Sequence, residues 1–264
     1  YQLIHNPLPD DPDTRNQVLR TPGVQRAEEL FALGQYSLAR REWSHVLGNM
    51  TSYQMQMAAP LAHAGGWYDR ALLTLNKAES FDDLVVRFPM AYREGIEKHA
   101  GKRDLDLAWV FSLVRQESAF VEDARSPAGA LGLMQVMPAT GKETARAMGM
   151  RNFSTSQLTH ASTNLPIGTT YLRRMLDYFD GNMVLATAAY NAGPGNVSRW
   201  LPPGGCTEPD MWVEQIPFTE TRKYVQRILY FSSIYDWRLG RDVMPIAERA
   251  SPVQQRGTIL VAGL

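Results

Sequence analysis

The sequence predicts a nearly all-α chain, and three observations carry that prediction. Apolar residues recur at three- and four-residue steps, beginning with Leu30, Phe31, Leu33, Leu38, Trp43, Val46 and Leu47. No period-two alternation runs long enough for a substantial strand, so at most a minor β element is expected. The breaks between helical stretches, at 126–132, 138–141, 193–195 and 202–205, are rich in Gly and Pro.

Residues 1–20 hold Pro7, Pro9 and Pro12 among Asp10, Asp11 and Asp13, and are read as an irregular lead-in. The next region, 21–100, is read as helical hairpins. Within it Gly34-Gln35-Tyr36-Ser37-Leu38-Ala39 matches Gly66-Trp67-Tyr68-Asp69-Arg70-Ala71. Gly suits a tight turn between helices, and Ala allows their close approach. Two copies fit either the last turns of a longer helical solenoid or two unrelated hairpins. The pattern loosens over 80–103, with Asp82, Asp83, Pro89 and a polar string at 97–104, which places a domain boundary there. The remainder, 101–264, is read as a second domain.

Composition narrows the function. Lys plus Arg and Asp plus Glu both total 27, a balance that argues against a nucleic-acid binder. A hydrophobic fraction of 44% supplies a real core and excludes disorder as the main state. No apolar run reaches the roughly 18 residues of a transmembrane helix; the closest, 259–264, is far too short. The lone Cys206 forms no intrachain disulfide and, in a Pro/Gly loop, has no evident base. His5, His45, His63, His99 and His160 are scattered without paired metal-ligand spacing, so neither metal nor cofactor is expected. The chain opens at Tyr1 with no leader, so any targeting signal is expected to lie outside it.

Four segments carry chemistry. A helix is expected from near Asp104, with Leu107, Val110, Phe111 and Val114 on one stripe. Glu117 falls on that stripe. Apolar surroundings and the negative end of the helix dipole would raise its pKa, as a general acid requires; alternatively the helix frays first and leaves Glu117 solvated. Next, 126–138 sets small residues ahead of Met134, Gln135 and Met137, suiting close backbone approach with an amide arm and an adaptable apolar wall. Thr140 and Glu143 read as a capping box for the following helix. In the third segment Tyr190 and Asn191 end a helix before Gly193-Pro194-Gly195, where they could face a cleft or serve as core and cap. In the fourth, Thr219 reads as the N-cap of a helix running to Asp236, and Glu220 suits its positive end. Glu122 and Asp123 are read as solvated loop carboxylates.

Taken in order, Arg115-Gln116-Glu117-Ser118-Ala119-Phe120, Gly132-Leu133-Met134-Gln135-Val136-Met137-Pro138, Ala189-Tyr190-Asn191-Ala192-Gly193-Pro194-Gly195 and Ile216-Pro217-Phe218-Thr219-Glu220-Thr221-Arg222 resemble the catalytic domain of the soluble lytic transglycosylases. The resemblance covers about residues 100–240. It implies a fold related to goose-type lysozyme, preceded by a helical superhelix or linker of which 21–100 would be the end. It implies that Glu117 is the single catalytic acid/base and that Ser126, Gln135, Met137, Tyr190 and Glu220 line a glycan groove, with Met134 and Asn191 beside them. The implied substrate is the peptidoglycan strand, cleaved without water to 1,6-anhydromuramyl ends in the periplasm, with no cofactor. A monomer is the expected state. The competing readings are a hydrolytic goose-type muramidase and a non-catalytic glycan-binding helical-repeat protein.

Overall fold

Fifteen α-helices and one pair of two-residue strands make up residues 3–254, the part that the computed structural model describes. The apolar stretch 259–264 lies outside the described residues. The chain divides into two compact units: residues up to Ala91 with Ala119–Val121, and Tyr92–Ser118 with the chain from Glu122 onward.

The first unit holds α1 (Pro12–Leu19), α2 (Pro22–Ala32), α3 (Tyr36–Leu47), α4 (Ser52–Ala64), α5 (Tyr68–Lys77) and α6 (Leu84–Arg87). Helix α1 corrects the irregular reading of 1–20. Asp11 accepts from the Asp13 and Thr14 amides, and Pro12 occupies the first turn, where its missing N–H costs nothing. Proline and aspartate there mark a helix start rather than a break. The residues ahead of α1 are tied down as well: Asp83 accepts from Leu8 N through one oxygen and caps α6 through the other.

The two repeat copies form equivalent turns. Gly34 N donates to Phe31 O and Gln35 N to Leu30 O; Gly66 N donates to His63 O and Trp67 N to Ala62 O. This is the double bond of a Schellman C-cap, and it needs the left-handed φ of +72° at Gly34 and +80° at Gly66. The α2–α3 and α4–α5 hairpins close on Phe31, Trp43 and Trp67, whose rings lie 4.3 to 5.5 Å apart, with Trp43 Nε1 donating to buried Thr74.

The second unit holds α7 (Arg93–Gly101), α8 (Leu107–Ser118), α9 (Pro138–Ala147), a 3-10 turn (Thr155–Thr159), α10 (Ala161–Tyr178), α11 (Met183–Ala192), α12 (Pro194–Trp200), α13 (Pro209–Glu214), α14 (Thr219–Arg238) and α15 (Ile246–Arg249). Strands β1 (Cys206–Thr207) and β2 (Val253–Gln254) pair antiparallel. The division between units falls at Ala91/Tyr92, ahead of the expected 100/101. The polar string at 97–104 misleads because α7 runs through most of it, burying Ile96 and Ala100.

Helix α8 is the axis of this unit. It starts at Leu107 rather than near Asp104, because Asp106 accepts from Trp109 N and supplies the cap. Every residue from Ala108 to Val114 is buried, so beyond the expected stripe the helix is buried all round, the mark of a central helix. It packs most extensively on α14. Trp109 Nε1 also donates to Thr187 on α11, satisfying two buried polar groups at once.

Candidate active site

Glu117 occupies the last turn of α8, so the helix does not fray before it. Ala119 and Phe120 then turn the chain with φ of 49° and 64°, left-handed values that non-glycine residues adopt only under constraint. Burial of the Glu117 carboxyl pushes its pKa up to about 7. A hydrogen bond from Tyr224 opposes the rise, and the charge of Glu220 adds to it. Tyr224 Oη donates to Glu117 Oε1 at 2.6 Å. Burial holds both the Tyr224 and Tyr190 phenols well above their ordinary value, so each remains a hydrogen-bond donor.

The 126–138 loop is built by its own backbone. Leu131 bridges Arg125 on one side and Val136 on the other. The Ser126 hydroxyl accepts from Ala130 N at 3.0 Å, closing a turn. Gly132 is required for two reasons: its φ is +76°, and a Cβ there would lie 2.0 Å from Leu158 O and 2.4 Å from Asn164 Nδ2. Gln135, at φ +45°, donates through Nε2 to Ala124 O and Gly132 O, so its amide N–H groups brace the loop. Met137 is 43% exposed and available to a ligand.

Met134 departs from the groove role expected of it. Its side chain is fully buried against Gly168, where an added Cβ would meet the sulfur at 2.4 Å. The backbone of Met134 matters instead. Its N–H donates to Asn164 Oδ1 at 2.8 Å, and its carbonyl accepts from Tyr190 Oη at 2.8 Å. Tyr190 thus joins α11 to the loop, and the Glu117 charge adds to the burial that raises its phenol. Asn191 accepts from Thr221 at 2.6 Å, tying the end of α11 to the first turn of α14. Glu220 is exposed in that same turn.

Several capping expectations shift. Helix α14 is capped at Phe218, with Thr219 already inside it and making no cap bond. Helix α9 opens at Pro138, whose fixed φ sets the start, and Glu143 pairs with Arg174 instead of closing a capping box. Glu122 is not simply solvated: it accepts from Ala161 N at 2.6 Å, at the N-terminus of α10.

Two residues escaped sequence reasoning. Tyr224 meets Glu117 only through the pairing of α8 with α14, and no local pattern announces that. Asn164 is fully buried on α10 and makes three backbone bonds, to Leu131 O, Leu158 O and Met134 N. A polar residue on a buried helical face was the one available signal.

Comparison with known proteins agrees with this geometry. The Transglycosylase SLT domain matches residues 94–205, and the Soluble lytic murein transglycosylase L domain matches 17–84. A third model, the Soluble lytic transglycosylase helical domain, matches 215–243, which here is chiefly α14. The soluble lytic murein transglycosylase of Escherichia coli K12 is 32% identical over 242 residues, 91% of this chain and 37% of that protein. This chain belongs to the soluble lytic transglycosylase family. The Salmonella typhimurium family member is 33% identical over 83% of this chain and 34% of its own length. Among solved structures, the lytic transglycosylase Slt of Pseudomonas aeruginosa, in an inactive Glu-to-Gln mutant, superposes with a TM-score of 0.89. It is 41% identical and covers 95% of this chain and 41% of its own. The 70 kDa soluble lytic transglycosylase of Escherichia coli gives 0.86 at 30% identity, over 95% of this chain and 40% of its own. The chain therefore spans well under half the length of these family members.

Proposed function

We propose that the chain is a peptidoglycan lytic transglycosylase that cleaves between N-acetylmuramic acid and N-acetylglucosamine without water. The observation that carries this reading is the Glu117 carboxyl, with a pKa raised to about 7 and a hydroxyl donor 2.6 Å away. Near neutral pH such a group can give up a proton and later take one back. An inactive Glu-to-Gln mutant of the Pseudomonas aeruginosa relative supports an activity resting on one glutamate.

In this mechanism protonated Glu117 donates to the glycosidic oxygen, and the bond from that oxygen to the muramyl C1 breaks. The positive charge developing at C1 is relieved by the muramyl N-acetyl oxygen, so the protein supplies no second carboxylate as nucleophile. Tyr224 stabilises the Glu117 carboxylate left behind, since a hydrogen bond to an ionised oxygen is stronger than one to a neutral oxygen. Glu117 then takes the proton of the muramyl 6-hydroxyl as its oxygen attacks C1. The ring closes to the 1,6-anhydro form, and the carboxyl ends protonated as it began. The attacking hydroxyl belongs to the substrate, so proximity favours it over water.

Ser126, Gln135, Met137, Tyr190, Asn191 and Glu220 are assigned to the glycan groove in this reading. Met137 offers apolar contact, and Tyr190 and Asn191 hold the groove wall in place through their bonds to Met134 O and Thr221. A lysozyme-like fold and a periplasmic location complete the proposal. The direct test is Glu117→Gln, which keeps the size of the side chain and removes the acid. Turnover of cell-wall sacculi should fall by at least about 100-fold, the lower range for loss of a general acid. Turnover close to that of the unaltered protein would overturn the assignment.

A further inference from the structure

Helices α8 and α14 are joined by successive side-chain pairs whose numbering shows the two helices to be antiparallel. At one end Tyr224 Oη donates to Glu117 Oε1. The Arg115 guanidinium then lies 4.1 Å from the Phe231 ring centroid, and Ser232 Oγ donates to Ser112 Oγ at 3.2 Å. Phe111 and Tyr235 stack at 5.3 Å. At the far end stands Arg249 of α15, only 7% exposed. Its Nη1 lies 3.3 Å from Asp106 Oδ1, and its Nη2 donates to Asp236 Oδ2.

Both carboxylates belong to helix ends. Asp106 Oδ1 also caps α8 through Trp109 N, while Asp236 accepts from Met244 N and, through its backbone carbonyl, from Arg241 N. One buried guanidinium thus ties the start of α8 to the last turn of α14. Apolar faces tolerate small axial slips, whereas a planar guanidinium shared by two carboxylates does not. A helix transmits such a fixed position along its axis, about 16 Å over the eleven residues from Asp106 to Glu117. Without the arginine, Asp236 would lose that guanidinium, while Asp106 would keep Arg241, whose Nη1 lies 3.5 Å from its Oδ2.

We propose that Arg249 is a positioning residue for Glu117: it sets the axial register of α8 against α14, and that register holds the Tyr224 hydroxyl on the carboxyl. Its catalytic meaning rests on the proposed role of Glu117. The groups whose charge or hydrogen bonds reach Glu117 are Tyr224 and Glu220 on α14 and Tyr190 on α11. Of these, Tyr224 is bonded to it.

The test is the titration of Glu117, followed by NMR in protein labelled with carboxyl-13C glutamate, alongside melting temperature. The variants are Arg249→Met, Arg249→Lys, Tyr224→Phe and the Arg249→Lys/Tyr224→Phe double. Losing the Tyr224 bond raises the Glu117 midpoint, so Tyr224→Phe and Arg249→Met should each move it upward by roughly half a pH unit or more. Arg249→Lys keeps the charge, loses the fork and should move it in the same direction. In the double variant the Arg249 change should add nothing further, because both act through one bond. A lowered melting temperature with an unmoved midpoint would overturn the proposal, since stability alone would then be at stake. Additive shifts in the double variant would overturn it too. Should Arg249→Met not fold, the Lys variant and its double decide the matter. The titration needs no turnover, so its outcome is independent of whether Glu117→Gln abolishes activity.

Discussion

Burial and two neighbours set the proton affinity of Glu117, and they pull in different directions. Burial raises it, the Tyr224 hydroxyl lowers it and the Glu220 charge raises it again. A general acid must be protonated to act, so activity should decline as pH rises through about 7. Tyr224→Phe removes the lowering contribution and should move that alkaline limb to higher pH, while Glu220→Gln removes a raising one and should move it lower. Profiles of kcat/KM against pH for the two variants check the opposed signs, and shifts in one common direction would refute this electrostatic account. The same group influences stability. Its folded pKa of about 7 lies above the ordinary value of 4.5, so its contribution is fully present below 4.5 and is lost as pH rises through about 7. Glu117→Gln has no such dependence. Its stability relative to the unaltered protein should therefore grow by about 3 kcal/mol between pH 4.5 and 8, as read by denaturant melts. The three-, four- and seven-residue spacings put Glu117 on an apolar stripe but left open whether the helix frayed before it, and it was the resemblance of the four motifs that singled it out. Its partner was not legible, since Tyr224 is distant in sequence and near only in the folded pairing of helices.

At the level of elements, the 126–138 loop is closed by its own backbone and anchored to α10. Asn164 satisfies Leu131 O, Leu158 O and Met134 N, and Gly132 leaves the space it occupies. Asn164→Ala would take the side-chain partner from buried Leu158 O and Met134 N, while Leu131 O keeps its bond from Val136 N, and unsatisfied groups cost about 1–3 kcal/mol each. Urea melts should show a loss of roughly 2 kcal/mol or more, with KM for sacculi rising because Gln135 and Met137 lose their fixed backbone. Gly132→Ala should destabilise by more than about 2 kcal/mol, from its left-handed φ and the clash with Leu158 O together. A loss under half a kcal/mol in either variant would contradict this view of the loop. The loop and its glycines were legible in the sequence, but its anchor was not. A buried asparagine carries no local signature saying which backbone it will hold. Helix starts were misplaced for a simpler reason. Pro138 and Pro12 occupy the first turns of their helices, where fixed φ favours initiation; the Thr140/Glu143 pattern pointed past Pro138, and Pro12 among aspartates read as a break although Asp11 caps α1.

Across the whole chain, the helical class and the paired hairpins were readable because glycine at a left-handed C-cap and aromatic packing leave a repeated local imprint. The division between units was less readable, since a polar, solvent-facing helix such as α7 resembles a linker when only composition is considered. Zero net charge is compatible with a groove that recognises amide-bearing sugars by hydrogen bonds and apolar contact instead of a strong field. In the proposed reaction one carboxyl, acting as acid and then base, closes the muramyl ring with no water consumed. Mass spectrometry of the muropeptides released from sacculi tests this most directly. The proposed reaction gives glycan ends in the 1,6-anhydromuramyl form, lighter by one water than reducing ends and free of 18O when the digestion is run in labelled water. Mainly reducing ends that carry the solvent label would contradict it and make the chain a hydrolase.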